Sequence, residues 1–313
     1  MRVAVTGCTG HIGSSVVRRL ISSGHSVLGL DRLGADFDGL ATMAPGVDVE
    51  VADLVDMRSS LGALLAFAPD VAVHLAWQGV GPSDRGSADQ ITVNVGGAIE
   101  FLRAAHDAGC TGFVGLGSQA EYGPYTVPLR EDLPAWPQSA YGVGKLAAYL
   151  LTAKLAEILC MRHVWLRLTA SYGPGDDACH LIPSVIQRLL RREPVRLSPG
   201  AQVCDYLYVD DVAEAIALGV EHTDASGLFV LGSGEPVTVQ SLCGLIRDRI
   251  DPSADLGFGA APYRADQSMH ILADATRISD AVAWRARVPL EEGLHRTIAS
   301  MRLDMERNGF QAG

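Results

Sequence analysis

The sequence predicts an α/β protein built on a doubly wound parallel sheet. Short apolar runs alternate with amphipathic stretches through the first half of the chain. The runs are apolar throughout, as strands of a sheet covered on both faces must be. A glycine-rich loop joins the first run directly to the first amphipathic stretch.

The elements follow in order. Expected strands are Arg2–Thr6, Ser26–Asp31 and residues 47–51, 71–75, 112–117 and 163–168. Between them, apolar residues recurring at helical spacing predict helices over 12–23, 57–67, 90–108 and 141–159. After Leu168 the rhythm changes. Residues 181–191 read as a helix, 195–197 as a short strand, 206–209 as another, and 211–221 as a helix. The run 228–231 ends in Gly232-Ser233-Gly234 and is expected to rejoin the first sheet. Helices over 242–250, Thr276–Val282 and Leu290–Arg307 complete the chain. The expected division is a dinucleotide-binding domain over 1–168 with 205–234 rejoining it. A smaller, discontinuous substrate domain is expected over 169–204 and 235–313.

Composition bounds the function. Of 313 residues 48% are hydrophobic and 19% charged, which excludes disorder as the main theme. The formal net charge of −11 argues against non-specific binding to nucleic acid or an anionic membrane. It leaves a phosphorylated small molecule open, since that needs only a few local donors. Six cysteines, with no C-x-x-C pair, read as reduced thiols of a cytoplasmic protein. No signal peptide and no transmembrane stretch is expected.

The sharpest local signal is Thr6-Gly7-Cys8-Thr9-Gly10-His11-Ile12-Gly13, between a strand and a helix. Gly7 permits a tight turn, Gly10 lets backbone approach a pyrophosphate, and Gly13 lets helix and strand pack closely. The phosphates then meet free N–H groups at a helix N-terminus. Asp31 ends the second strand 18 residues after Gly13. A carboxylate there accepts hydrogen bonds from an adenosine ribose and repels a 2′-phosphate, favouring NAD over NADP; the adjacent Arg32 partly offsets this. Asp53-Leu54 follows the third strand, where an adenine-edge contact and a solvated helix cap are both open readings.

Tyr141-Gly142-Val143-Gly144-Lys145 places a phenol and an ammonium on one helix face. A nearby Lys favours phenolate and lets a Tyr act as a base nearer neutral pH. Gly117-Ser118-Gln119-Ala120-Glu121-Tyr122-Gly123 supplies a serine at a preceding strand end.

With these motifs together, the chain resembles the extended short-chain dehydrogenase/reductase family, in its nucleotide-sugar epimerase/dehydratase group. The resemblance spans nearly the whole chain. His74-Leu75-Ala76-Trp77 resembles the segment beside the cofactor, and Asn94-Val95-Gly96-Gly97 the helix-borne Asn motif. Tyr172-Gly173-Pro174-Gly175 follows Arg167 as the family's R…YGP does. Asp205-Tyr206-Leu207-Tyr208-Val209-Asp210-Asp211-Val212 and Asp274-Ala275-Thr276-Arg277 with Trp284 match later segments. The resemblance implies a Rossmann-type fold, bound NAD and a Ser118–Tyr141–Lys145 triad. Thr9, His11, Ile12, Leu75, Ala76 and Asn94 join the cofactor contacts. Trp77, Gln119, Glu121, Tyr122, Arg196 and Arg264 are expected near the substrate.

Departures narrow the activity. Sugar dehydratases of the family carry an acid pair after the catalytic serine or threonine, where this chain has Gln119 and Ala120. Ala170 stands where Asn is frequent, and Cys204 where Arg reaches the diphosphate; Arg196 and Arg264 are candidates to compensate. Asp176, Asp177, Cys179 and His180 are of mixed ligand type at no standard metal spacing, so no metal is expected. The resemblance therefore implies an NAD-dependent epimerase of a nucleotide-activated sugar, working through a transient keto-sugar. The alternative is an NAD(P)H-dependent ketoreductase of a nucleotide-linked 4-keto-deoxy-sugar. A homodimer joined by a four-helix bundle is implied as well.

Overall fold

The computed structural model describes residues 1–264 and 267–307. Residues 308–313, the end of the expected substrate segment, lie outside the described residues, as do 265–266. The chain runs β1 (Arg2–Thr6), α1 (His11–Ser22), β2 (Ser26–Asp31), α2 (Phe37–Met43), β3 (Asp48–Val51), a 3-10 stretch (Leu54–Ser60), α3 (Leu61–Phe67) and β4 (Val71–His74). It continues through α4 (Asp89–Thr92), α5 (Asn94–Asp107), β5 (Gly112–Ser118), one 3-10 turn (Gln119–Glu121), α6 (Ala140–Ile158) and β6 (Arg162–Leu168). Then come β7 (Ser171–Tyr172), α7 (Leu181–Leu190), β8 (Val203–Asp205), β9 (Leu207–Tyr208), α8 (Val209–Glu221), β10 (Gly227–Leu231) and β11 (Pro236–Thr238). Helices α9 (Val239–Ile250), α10 (Thr276–Val282) and α11 (Leu290–Arg307) follow.

Seven strands form one sheet in the order β10-β6-β5-β4-β1-β2-β3, every pair parallel. The run 228–231 does rejoin it, pairing with β6. Apolar side chains leave both faces of the central strands. On one face Val3, Val5, Val73 and Val114 pack with Val16, Leu20, Ile216 and Val220 of α1 and α8. On the other, Ala4, Ala72 and Phe113 pack with Phe101 and Leu102 of α5 and Ala148 of α6. A third core lies outside the sheet, where Ile182 and Ile186 of α7 meet Leu242 and Ile246 of α9 and Leu294 of α11. No helix among the described residues is long and apolar enough to cross a membrane.

The local expectations need several corrections: strands β7, β8 and β11 were not anticipated, and the helix expected over 90–108 breaks at Val93 into α4 and α5. Helix α2 was not anticipated, although Asp36 caps it by accepting the Gly39 N–H at 2.9 Å. The stretch read as a helix over 57–67 starts as 3-10 at Leu54 and breaks at Asp56, so the α-helix begins only at Leu61. Residues 195–197 make only a single bridge, Leu197 to Phe258. The strand expected at 206–209 lies at Leu207–Tyr208 and the following helix starts at Val209, because Tyr208 caps it in extended backbone.

Two acidic residues tie the later segments down. Asp205 is fully buried and accepts the N–H groups of Ser233, Gly234 and Ala273 at 2.7, 3.0 and 3.1 Å, and the Ser233 hydroxyl at 2.6 Å. Asp211 accepts the N–H groups of Arg287 and Val288 at 3.1 and 2.9 Å. Each carboxylate thereby ties a distant segment to the end of the sheet through charge-assisted hydrogen bonds.

A row of rings crosses β4, β5 and β6: His74, Phe113, His163 and Trp165 stack with centroids 5.6–6.1 Å apart. Burial pushes His163 down to about 4 and, with the Lys145 ammonium adding to it, His74 to about 3. Both values lie below the usual histidine value of about 6.5, so the unfolded chain binds more protons in that interval. Stability is complete above about pH 6.5 and is expected to fall as pH drops toward 4. Thermal midpoints between pH 7 and 5 check this, and His163→Phe should flatten part of the slope. A midpoint independent of pH in that window would contradict it.

Candidate active site

The strand order reverses between β1 and β4, which opens a crevice beyond their C-terminal ends. The β1–α1 loop and the β4–α4 loop flank it. A cavity of about 1070 Å³ runs from this crevice to α7 and the segment around Arg264.

The β1–α1 loop presses against the β4 loop. Gly7 has φ +68°, and a Cβ there would meet the Ala76 nitrogen at 2.7 Å; a Cβ at Gly13 would overlap the Gly7 carbonyl. Only glycine allows this approach. Gly10 caps α1 in extended backbone with no side-chain hydrogen bond, so the helix presents its first N–H groups uncapped by any side chain. His11 bonds the Pro174 carbonyl through Nδ1 at 2.9 Å, while its Nε2 is buried without a partner. Burial holds this imidazole below its usual pKa. Uncapped amides and an unsatisfied ring nitrogen at a helix N-terminus fit a dinucleotide pyrophosphate.

The remaining cofactor candidates fall around this loop. Asp31 ends β2 and accepts the Thr9 N–H and hydroxyl at 3.0 and 2.8 Å, closing the loop over β2; its other oxygen takes the Arg32 N–H at 2.9 Å. Arg32 and Ile12 line the cavity. Asp53 caps the 3-10 stretch by accepting the Val55 N–H at 3.0 Å, and Leu54 packs against Gly97 of α5. Leu75 lines the cavity, and the N–H groups of Leu75 and Ala76 point at the Thr6 hydroxyl at 3.2 and 3.3 Å. Asn94 is fully buried and grips both backbone groups of Gln78, at 2.7 and 2.9 Å. It fixes the β4 loop and does not itself line the cavity.

Ser118, Tyr141 and Lys145 come together on one wall. Ser118 stands at the end of β5, where its side chain caps the 3-10 turn by accepting the Ala120 N–H at 3.2 Å. Tyr141 lies in the first turn of α6, which is set by Ser139 accepting the Gly142 N–H at 3.2 Å. A Cβ at Gly142 would strike the Ala120 carbonyl, so glycine lets the helix start close to the serine turn. The Lys145 ammonium donates to the Leu116 carbonyl at 2.8 Å and lies 3.8 Å from the Trp77 ring centroid. Burial lowers it to about 7, with Glu121 opposing. Trp77 meets Tyr141 edge-on at 6.1 Å and donates to Gln90 at 2.7 Å.

The residues match the NAD dependent epimerase/dehydratase family over 3–232. The chain belongs to that family. It is 30% identical to a UDP-glucose 4-epimerase of Mycolicibacterium smegmatis, over 96% of this chain and 99% of that one. A UDP-glucose 4-epimerase of Thermotoga maritima, solved with UDP-glucose, superposes with a TM-score of 0.90 at 26% identity, covering 97% of this chain and 100% of that one. A Thermus thermophilus UDP-glucose 4-epimerase, solved with NAD, gives 0.85 at 26% identity, covering 96% and 99%.

Two expectations for this family member need correction. Glu121 and Tyr122, expected near the substrate, do not line the cavity. Glu121 is fully buried, pairs with Arg167 at 2.6 Å and accepts from the Ser118 N–H at 2.9 Å and the Trp165 indole at 3.1 Å. Tyr122 lies beneath the Arg167 guanidinium, its ring centroid 4.4 Å away, and burial pushes its phenol up to about 12. Burial raises the Tyr141 phenol, with Arg85 and a Ser118 hydrogen bond opposing.

At the far end, Gln119, Trp77, Arg196 and Arg264 all line the cavity, as do Ala170 and the buried Cys204. Asp176 and His180 pair with each other at 2.7 Å, which raises the imidazole above its usual pKa. Sequence reasoning missed Arg85 and Gln90. Gln90 is a buried amide that bonds Trp77, Gly79, Asp84 and Asn94 and so organises the β4 loop. An amide in an amphipathic stretch carries no signal of that role. Arg85 sits in a Gly-, Pro- and Ser-rich loop that reads only as a turn.

The Glu121–Arg167 pair gives a direct test. Glu121→Ala leaves a buried guanidinium unpaired and should cost about 3–5 kcal/mol in urea unfolding. A double variant, Glu121→Leu with Arg167→Met, should recover most of that loss. A single variant as stable as the parent would show that water already reaches the pair.

Proposed function

We propose that this chain is an NAD-dependent epimerase of a UDP-activated sugar, acting at C4 through a transient keto-sugar. The observation that carries the reading is one cavity lined both by the glycine loop and by Ser118, Tyr141 and Lys145. Relatives that are UDP-glucose 4-epimerases support the nucleotide and the carbon. NAD, when bound, serves as the acceptor and returning donor of the sugar's hydride. Gly7, Thr9, Gly10, His11, Ile12 and Gly13 hold its pyrophosphate in this reading, and Asp31 with Arg32 the adenosine ribose. Asp53, Leu54, Leu75, Ala76 and Asn94 shape the rest of its bed.

Tyr141 takes the proton of the sugar hydroxyl as the carbonyl forms, and gives it back when the alcohol re-forms. Ser118 hydrogen-bonds the same oxygen. Lys145 binds the nicotinamide ribose. Trp77 and Gln119 border the sugar, and Arg196 and Arg264 face the diphosphate that Cys204 cannot pair with. Segments 169–204 and 235–313 form the substrate-holding part in this reading. Water elimination is disfavoured, because Gln119 and Ala120 carry no acid and Glu121 is engaged by Arg167.

Tyr141→Phe should lower conversion of UDP-glucose to its 4-epimer by roughly 10²–10⁴-fold, the contribution of a positioned acid–base group, while NAD binding survives. The measurement is nuclear magnetic resonance of the sugar anomeric signals. A variant as fast as the parent would remove the tyrosine base. Asp31→Ala should weaken NAD by about 1–3 kcal/mol in fluorescence titration and improve NADP. A parent protein that prefers NADP would favour the ketoreductase instead.

The reading includes a homodimer and a cytoplasmic location, the latter suited to the six free thiols. On α6 the apolar side chains of Val143, Leu150, Leu151 and Ile158 are exposed beside α5, a stripe that a second copy would cover as a four-helix bundle. Light scattering should give about twice the 33.1 kDa chain mass. A strictly monomeric mass would remove the dimer.

A further inference from the structure

We propose that Arg85, on the loop between β4 and α4, reads a carboxylate on the sugar, so that the preferred substrate class is a UDP-activated hexuronate and not a neutral hexose. The inference rests on the epimerase reading and deepens it. The acid–base work stays with Tyr141 and Lys145.

Arg85 is held at the reacting end of the cavity, which it lines together with Ser118 and Tyr141. Its guanidinium carbon lies 5.0 Å from the Tyr141 ring centroid, and its backbone carbonyl accepts the Tyr141 N–H at 2.9 Å. Gln90 fixes the loop by donating to the Gly79 and Asp84 carbonyls at 2.5 and 3.1 Å. The position of the arginine is thus set by backbone and by an aromatic ring, and its side-chain donors are left over. Nε is buried with no partner, and among the described residues neither terminal nitrogen has a hydrogen-bond or ion-pair partner. The acids of the adjoining segments are engaged elsewhere. Asp84 accepts the Ser83 hydroxyl at 3.2 Å, Asp176 pairs with His180 at 2.7 Å, and Asp177 accepts the Cys179 N–H at 2.8 Å. These two segments meet, since a Cβ at Gly81 would lie 3.3 Å from Asp84 Oδ2 and 3.5 Å from the Cys179 sulfur.

A guanidinium does not lose its proton in a protein, and a charge withdrawn from water needs a counter-charge. Closing the cavity over a substrate therefore asks the ligand for an anion at this point. The diphosphate is not that anion. It is attached at C1, across the pyranose ring from the C4 hydroxyl that Tyr141 serves, and Arg196 and Arg264 line the end of the cavity where it would lie. The carbon next to C4 is C5, which in a hexuronate bears a carboxylate. Its two coplanar oxygens match the fork of a guanidinium. The hydroxymethyl group of a neutral hexose supplies no charge there. C5 stays beside C4 whichever face the keto-sugar presents, so one arginine serves both halves of the epimerisation.

The test uses the full-length protein loaded with NAD. Binding is read first in Tyr141→Phe, which keeps the ring beneath Arg85 and stops turnover. Calorimetric titration should give UDP-glucuronate a Kd roughly 10–100-fold below that of UDP-glucose, the scale of one charge-assisted pair. That comparison needs no Arg85 variant to fold. Adding Arg85→Met or Arg85→Gln should abolish the preference and leave UDP-glucose binding little changed, with retained NAD reporting that each variant is folded. Arg85→Lys should keep part of the preference, because the charge stays and the fork is lost. With Tyr141 present, kcat/KM for 4-epimerisation should favour UDP-glucuronate, and Arg85→Met should remove that advantage through KM.

Equal affinity for the two sugars in Tyr141→Phe would overturn the assignment. Neutral variants that weaken UDP-glucuronate, UDP-glucose and UDP alike would overturn it too, making Arg85 a diphosphate contact. Epimerisation of UDP-glucose with no gain from the carboxylate would sink the Arg85 assignment and leave the epimerase standing. An Arg85-dependent preference for UDP-glucuronate, with no 4-epimer formed from either sugar, would sustain the carboxylate contact and sink the epimerase reading alone.

Discussion

One buried carboxylate organises the catalytic end of this sheet. Glu121 bonds Arg167, the Trp165 indole and the Ser118 N–H at once. A buried carboxylate is tolerated only when paired and hydrogen-bonded, and here three donors from β5 and β6 converge on it. Because Ser118 caps the turn that Glu121 closes, the carboxylate fixes where the Ser118 hydroxyl sits. The Ala120 carbonyl of that same turn abuts Gly142, so the start of α6 and the Tyr141 phenol are located against it. The acid at this position is thus a structural element beneath the site.

The second constraint is the meeting of two loops at the point where strand order reverses. The glycine loop after β1 and the segment after β4 touch backbone to backbone. Asn94 and Gln90, from α5 and α4, then hold the β4 segment in place through buried amides. Polar groups satisfied in this way are rigid, since breaking any of them strands a buried donor or acceptor. The result is a rigid wall along the crevice between β1 and β4.

Much of this was legible in residue order. Strand–helix alternation, the spacing of Gly7, Gly10 and Gly13, and the pair Tyr141 and Lys145 are local patterns tied directly to backbone geometry. The family motifs around Asp205 and Asp211 were legible as matches, but not what those residues do. Their carboxylates take N–H groups from Ser233, Gly234 and Ala273, and from Arg287 and Val288. Such long-range capping has no period and no neighbour in sequence to reveal it.

Sequence by itself determined the doubly wound sheet and the glycine loop, because each follows from short-range sterics and periodicity, while the set Ser118, Tyr141 and Lys145 was implied by resemblance to the family. Tertiary structure decided which acids reach the cavity and which side chains surround the Tyr141 ring. Glu121 is three residues from Ser118, yet it turns into the protein because Arg167 and Trp165 on β6 lie there. Lys145 is four residues from Tyr141, yet its ammonium is taken by Leu116 and Trp77, while Arg85 arrives from a loop 56 residues earlier than the tyrosine. Partners of a buried charge are set by which strands and loops fold next to it, and that adjacency exists only in three dimensions.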